Sequence, residues 1–453
     1  MARSVRTVAS TLFVTLSLTA AAPAHGPLPP MDDAVRAGPV VEPPPRSQVR
    51  LRPLPEDFVV RDRQQYGSLQ EALRNGQLDF ARRNGTELSS LQSRLVQGLS
   101  QALDGRVRGA RATLESLAFD ARDAGDSALA QLSDAAGINL RFEAADYDGV
   151  MAAVGADASD GLVAGLAELP RQTLGAGEPV SDRLRPGPGG QAALTVAVNG
   201  RIAEWWFDTG ASFSVVSRSA ARAWGVRVVP DPGPVGVATA TSRSASARLG
   251  VVERLQVGEV VARNVPVVVM EDEDLVFERD DGTTASVDGI LGWTVIRSLR
   301  TELDFPADRY TARLSSPSPE GDRNLGWLGY PIVRLADGRG QPLLFGLDTG
   351  SRNTSITRNI LAKSDLGAVR RDTVRIPGIG GSVREPVWIG DTLALAFPHA
   401  LATLADVRTE PASGADDVIF FDVDGVLGVD VAQGGILIVD PPKGIVHLHP
   451  SGG

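Results

Sequence analysis

The stretch "WWFDTGASFSVV", Trp205 to Val216, sets a single carboxylate, Asp208, after an apolar run and before Thr209 and Gly210. It reads as a strand ending in a tight turn, with glycine where the backbone must bend without a Cβ. Taken alone, Asp208 is a turn residue, a common place for Asp after a strand. The pattern returns further along the chain in "LFGLDTGSRNTSIT", where Asp348, Thr349 and Gly350 again follow an apolar strand. Other segments keep step with it. "VDGILG" at 287–292 matches "VDGVLG" at 423–428, and "LDFPADRYTARL" with Asp304 matches "IVDPPKGIVHL" with Asp440. The interval from Asp208 to Asp288 nearly equals that from Asp348 to Asp424, and the interval from Asp288 to Asp304 equals that from Asp424 to Asp440. A turn signal precedes each copy, Asn199-Gly200 in one and Asp337-Gly338 in the other. Chance explains one such tripeptide but not two in matching context. The chain therefore carries a duplicated β lobe, expected at 191–316 and 325–453 with a linker at 317–324.

The paired motifs resemble those of the aspartic proteases. The resemblance rests on Asp208-Thr209-Gly210 and Asp348-Thr349-Gly350, with the partner motifs Ile290-Leu291-Gly292 and Val426-Leu427-Gly428. It covers the chain from Ala192 to its end. The first copy, Asp-Thr-Gly-Ala, is similar to the retroviral form and the second, Asp-Thr-Gly-Ser, to the pepsin form. The resemblance implies a mainly β, bilobal fold of two duplicated lobes, a cleft between them, and an exported bacterial endopeptidase acting on polypeptides. It implies Asp208 and Asp348 as the catalytic pair, supported by Thr209, Gly210, Ser212, Thr349, Gly350 and Ser351. It implies no cofactor and no metal. With both half-sites on one chain, it also implies activity as a monomer.

The chemistry explains these residue types. Two carboxyls about 3 Å apart cannot both ionise, so they share one proton. One then acts as base toward a water while the other acts as acid, and the pair titrates as a unit. Thr209 and Thr349 can donate and accept across the interface, which the resemblance says they do reciprocally. A serine hydroxyl at 212 or 351 is placed to steady a carboxylate oxygen. The cleft cover is expected in the hairpin "VATATSRSASARL", 237–249, which lacks the tyrosine of pepsin-like flaps.

Around this unit the sequence changes character. "MARSVRTVASTLFVTLSLTAAAPAHG" has early arginines, an apolar run and Ala22-Pro23-Ala24, the layout of a secretory signal over 1–24, shorter than a membrane span. Export to the periplasm or medium follows, with no stable membrane span after removal of the signal. Residues 25–60 are Pro-rich and read as a linker. Leu88, Leu91, Leu95, Leu99 and Leu103 recur at helical spacing, and breaks at Asp104-Gly105, Gly125 and Gly137 divide 61–168 into short helices. That region is similar to tetratricopeptide-type repeats without their 34-residue signature, and it reads as a surface for a protein partner, as a plain helical bundle or as a pro-segment over the cleft. Residues 169–190 read as a second linker.

Composition closes off other classes. A net charge of −10 with no basic stripe excludes nucleic acid as a partner. Zero cysteines remove disulfides and thiolate chemistry. The four histidines are His25, His399, His447 and His449; alternation in a last strand accounts for the His447-Leu448-His449 pair, so no metal site is expected. "VIFFDVDGVLGV", 418–429, resembles the first motif of haloacid-dehalogenase-type phosphatases, with Asp422 as nucleophile and Asp424 as acid. Too little chain follows it for that fold, and the internal repeat already accounts for it. The remaining alternative is an exported binding module whose lobes hold a peptide without cutting it.

Overall fold

Ala192–Val198 (β1) and Arg201–Phe207 (β2) pair antiparallel because Asn199 and Gly200 both adopt positive φ, the requirement of a two-residue hairpin turn. The same pairing recurs between Pro331–Asp337 and Pro342–Leu347, but the turn differs. There Asp337 Oδ1 accepts from the backbone N–H of Arg339 and Gln341, each at 2.8 Å, and Gly340, not Gly338, takes positive φ. This computed structural model describes residues 14–16, 49–61, 72, 76, 78, 88–154, 161–187, 190–230, 235–239, 244–278, 283–318, 323–378, 381–409 and 421–451. The expected signal at 1–24 lies outside these residues except for Val14–Leu16, a strand parallel to Val235–Thr239.

The first large sheet continues through Ser214–Ser217 (β3), Val235–Thr239 (β4), Ser244–Val257 (β5), Val260–Met270 (β6) and Gly289–Leu291 (β7). β7 runs parallel to β2 and antiparallel to β3, so "ILG" is threaded between the strand that ends at Asp208 and the strand that follows it. β3 lies parallel to β6, and β4, β5 and β6 form the hairpins on the far side. Leu299–Asp304 (β8) and Arg309–Leu314 (β9) leave this sheet. The second large sheet has Pro331–Asp337 (β10), Pro342–Leu347 (β11), Ser355–Ile356 (β12), Val369–Gly378 (β13), Gly381–Ala396 (β14), Ala400–Thr409 (β15) and Gly425–Leu427 (β16). Its pairings follow the same plan: β16 parallel to β11 and antiparallel to β12, β12 parallel to β15. Gly435–Asp440 (β17) and Ile445–Pro450 (β18) join β8 and β9 in one four-stranded sheet, ordered β9-β8-β17-β18, which ties the two β regions together.

Two stretches expected as linkers contribute strands. Thr173–Ala176 pairs with β6 and Leu184–Pro186 with β1, while Arg50–Pro53 pairs with β15. Pro186 and Pro53 terminate strands at sheet edges, where a missing N–H costs little. Their polar, Pro-rich composition hid this role.

Before the β regions come helices α1 (Ser90–Leu103), α2 (Val107–Asp123), α3 (Ser127–Glu143), α4 (Tyr147–Val154) and α5 (Gly161–Ala167). Ser89 caps α1 reciprocally with Gln92, satisfying two free N–H groups. Gly105, Gly125 and Ala145 turn the chain at positive φ, evenly spaced along it. Gly137 does not break a helix. It sits inside α3 against Glu115 Cγ, 3.6 Å from where its Cβ would lie, and its small size lets α2 approach. The helices pack on both β regions: Leu99, Leu103, Leu114 and Leu117 share a core with Tyr330, Ile332, Leu344 and Phe421, whereas Ile138 and Phe142 join the core around Phe213.

Candidate active site

β2 and β11 end their apolar runs at Phe207 and Leu347, both buried, and deliver Asp208 and Asp348 to the junction of the two β regions. Each aspartate is held the same way. Asp208 N donates to Leu291 O at 3.0 Å, and Asp348 N to Leu427 O at 2.9 Å. Asp208 Oδ1 accepts from Gly210 N at 2.8 Å and Ala211 N at 3.0 Å. Asp348 Oδ1 accepts from Gly350 N at 3.0 Å and Ser351 N at 3.1 Å. The inner oxygen of each carboxyl is therefore fixed by its own loop, and the outer oxygen is left to the partner.

The loops interlock through their threonines. Thr209 N donates to Thr349 Oγ1 at 3.1 Å, and Thr349 N to Thr209 Oγ1 at 3.0 Å. Thr209 Oγ1 donates to Leu347 O at 2.9 Å, and Thr349 Oγ1 to Phe207 O at 2.8 Å. All four backbone groups belong to buried residues, where each needs a partner within the protein. The glycines are steric necessities: a Cβ on Gly350 would lie 2.4 Å from Asp208 Oδ2, and one on Gly210 would lie 2.7 Å from Asp348 Oδ1. Each carboxyl thus sits against the glycine of the opposite loop.

Asp208 and Asp348 are fully buried, and no N–H or hydroxyl donor among the described residues reaches either Oδ2. Each carboxyl lies against the glycine of the opposite loop, close enough that the two act on each other's ionisation. Burial pushes Asp208 up to about 7 against the opposing pull of the Ala211 N–H, the neighbouring Asp348 carboxyl and the other backbone donors. Asp348 stands well above the usual carboxylate range, first by burial and then by the charge of Asp208. Such a pair can give and accept a proton at the same place.

Sequence reading located both aspartates, both threonines and both glycines, and the structure brings these six together. The serines act otherwise than expected. Ser351 supplies its N–H to Asp348, but its hydroxyl donates to Asn353 O at 2.9 Å. Ser212 supplies a carbonyl that accepts from Thr294 N at 3.3 Å, and the donor to Asp208 is its neighbour Ala211. The turn is tight enough that the backbone reaches the carboxylate before a side chain can.

Other contributors escaped the motif. Ser214 Oγ accepts from Gly292 N at 3.1 Å and Thr354 Oγ1 from Gly428 N at 3.0 Å, binding each aspartate loop to its apolar-apolar-Gly partner. Both hydroxyls stand at the same offset past their aspartate, a spacing visible in the sequence. Tyr330 comes from the segment before β10, and its hydroxyl lies 2.8 Å from where a Gly210 Cβ would sit, beside Asp348 Oδ1. Asp424 is not part of this centre: buried, it lies 2.7 Å from Lys363 Nζ and accepts from Leu344 N at 2.8 Å.

Comparison with known families agrees with the geometry. Residues 194–295 match the aspartyl protease family model, a span that contains Asp208 and ends just after Gly292. This segment is similar to aspartyl proteases, a likeness that suggests protease activity. No curated protein matches the chain. Asp348 lies outside the matched span and enters the site through the contacts above.

Proposed function

We propose that this protein is an exported aspartic endopeptidase, with Asp208 and Asp348 as one catalytic unit carried by two duplicated lobes of a retropepsin- or pepsin-like bilobal fold. The observation that carries the reading is the reciprocal threonine lock, which brings two buried carboxyls from distant parts of the chain together at one place. The ionised member takes a proton from a water that attacks the scissile carbonyl. The protonated member gives its proton to the carbonyl oxygen, and the same two groups return a proton to the departing amine. Neither aspartate owns one role, since the pair titrates together.

The hairpin β4–β5 is the proposed cleft cover; its tip, 240–243, lies outside the described residues. Recurrence of the same strand pairings in both large sheets supports duplication. Both half-sites on one chain support activity as a monomer. The N-terminal apolar run supports export, and the stacked helices support a protein-binding role for 88–167. The test is hydrolysis of an unstructured protein substrate such as casein across acid to neutral pH. Wild type cleaves internal bonds, pepstatin-type inhibitors block it, and Asp208→Asn and Asp348→Asn each abolish it. Equal cleavage by Asp208→Asn, or none by wild type, removes the proposal in favour of a binding module.

A further inference from the structure

Three of the chain's four histidines meet at one place that the protease reading leaves unused. His447 and His449 alternate with Val446 and Leu448 on β18 and so share one face, while Val446 and Leu448 point into the core. Alternation accounts for that pair but not for the third member. His399 comes from the tight turn between β14 and β15, closed by Phe397 N donating to Ala400 O at 2.8 Å and braced by Leu54 N donating to His399 O at 3.3 Å. Its ring centroid lies 4.6 Å from that of His447 and 4.9 Å from that of His449, and the latter two are 6.3 Å apart. One nitrogen from each imidazole lies within 4.8 Å of the other two, and among the described residues this is the one such cluster of metal-ligating side chains.

We propose that His399, His447 and His449 bind a divalent transition-metal ion of zinc's class, with the three imidazoles as protein ligands and a water completing the coordination. Three neutral imidazoles suit zinc, copper(II) or nickel rather than magnesium or calcium, which take oxygen donors. Tetrahedral zinc with bonds of about 2.0–2.1 Å needs its nitrogens roughly 3.4 Å apart. From separations of up to 4.8 Å, side-chain rotation closes the remaining distance, and His399 is exposed on a turn where it can move. Bound metal would fasten the β14–β15 turn to the four-stranded sheet that joins the two β regions.

The test uses full-length protein without a polyhistidine tag, stripped with chelator, dialysed and titrated with zinc chloride by calorimetry, with bound zinc counted by elemental analysis. Wild type should take up one zinc per chain, and its thermal midpoint should rise with zinc concentration. His399→Ala, on an exposed turn, should fold and lose affinity by at least the roughly 10–100-fold that removing a mere supporting partner costs. His449→Gln should behave alike. Asp208→Asn should bind zinc as wild type does, so the metal site and the carboxyl pair stand or fall separately. Absence of saturable binding, uptake unchanged in His399→Ala, or loss of zinc in Asp208→Asn would each overturn the proposal.

Discussion

Replacing Thr349 with valine keeps the side-chain shape and deletes one hydroxyl. That hydroxyl donates to Phe207 O and accepts from Thr209 N, both on the opposite loop. The loss leaves two backbone groups without partners in a region where Thr209 is 1 % exposed and Thr349 0 %. Each buried orphan costs about 1–3 kcal/mol, so the variant should lose roughly 2–6 kcal/mol of stability. That is a large share of the ~5–15 kcal/mol typical of folded domains and is read directly from urea denaturation. Thr209→Val strips Leu347 O and Thr349 N and should cost a similar amount. In either variant the carboxyls lose their common alignment, so kcat for peptide cleavage should fall while KM changes little. A Thr349→Val protein within about 0.5 kcal/mol of wild type, the range of an ordinary surface change, with kcat intact, refutes the interlock as the feature that builds the site.

Stability should fall as pH rises from about 4 to about 7, because Asp208 has an ordinary value of 3.8 when unfolded and about 7 when folded, so the native state binds the extra proton. The full penalty is on the order of 4 kcal/mol above pH 7, and thermal midpoints for Asp208→Asn should show a shallower slope than wild type over this range. Arg297 donates to the carbonyls of Phe142 and Glu143 at the end of α3 and lies 3.6 Å from the Glu143 carboxylate, which also accepts from Trp293 Nε1. Arg297→Ala leaves that half-buried carboxylate only its Trp293 Nε1 donor, at a cost of about 1–3 kcal/mol, and limited proteolysis should then release α1–α3 from the β regions while wild type keeps them.

Much of the site was legible because its signal is local and repeated. An apolar strand, an aspartate and a glycine stand close together, and the second copy turns a turn residue into half of a pair. The Asn199-Gly200 hairpin was legible for the same reason, since the sequence names the residues whose φ the turn demands. What joins distant segments was not. Glu143 meets Trp293 and Arg297 from a remote part of the chain, and no periodicity marks them. Tyr330 comes against Gly210 from the segment before a strand, and His399 completes a trio whose other members looked like plain alternation. The edge strands at Thr173–Ala176 and Leu184–Pro186 carry too little apolar pattern to stand out, because an edge strand is stabilised by its neighbour's backbone more than by its own side chains.

The most direct measurement is a carbon-13 NMR titration of the aspartate carboxyl carbons, with the signals of Asp208 and Asp348 assigned from the Asp208→Asn and Asp348→Asn variants. Proton sharing between the two loops predicts that one proton stays on the pair until close to neutral pH and that both signals shift together when it leaves. Two independent titrations, each complete within the ordinary carboxylate range, would contradict it.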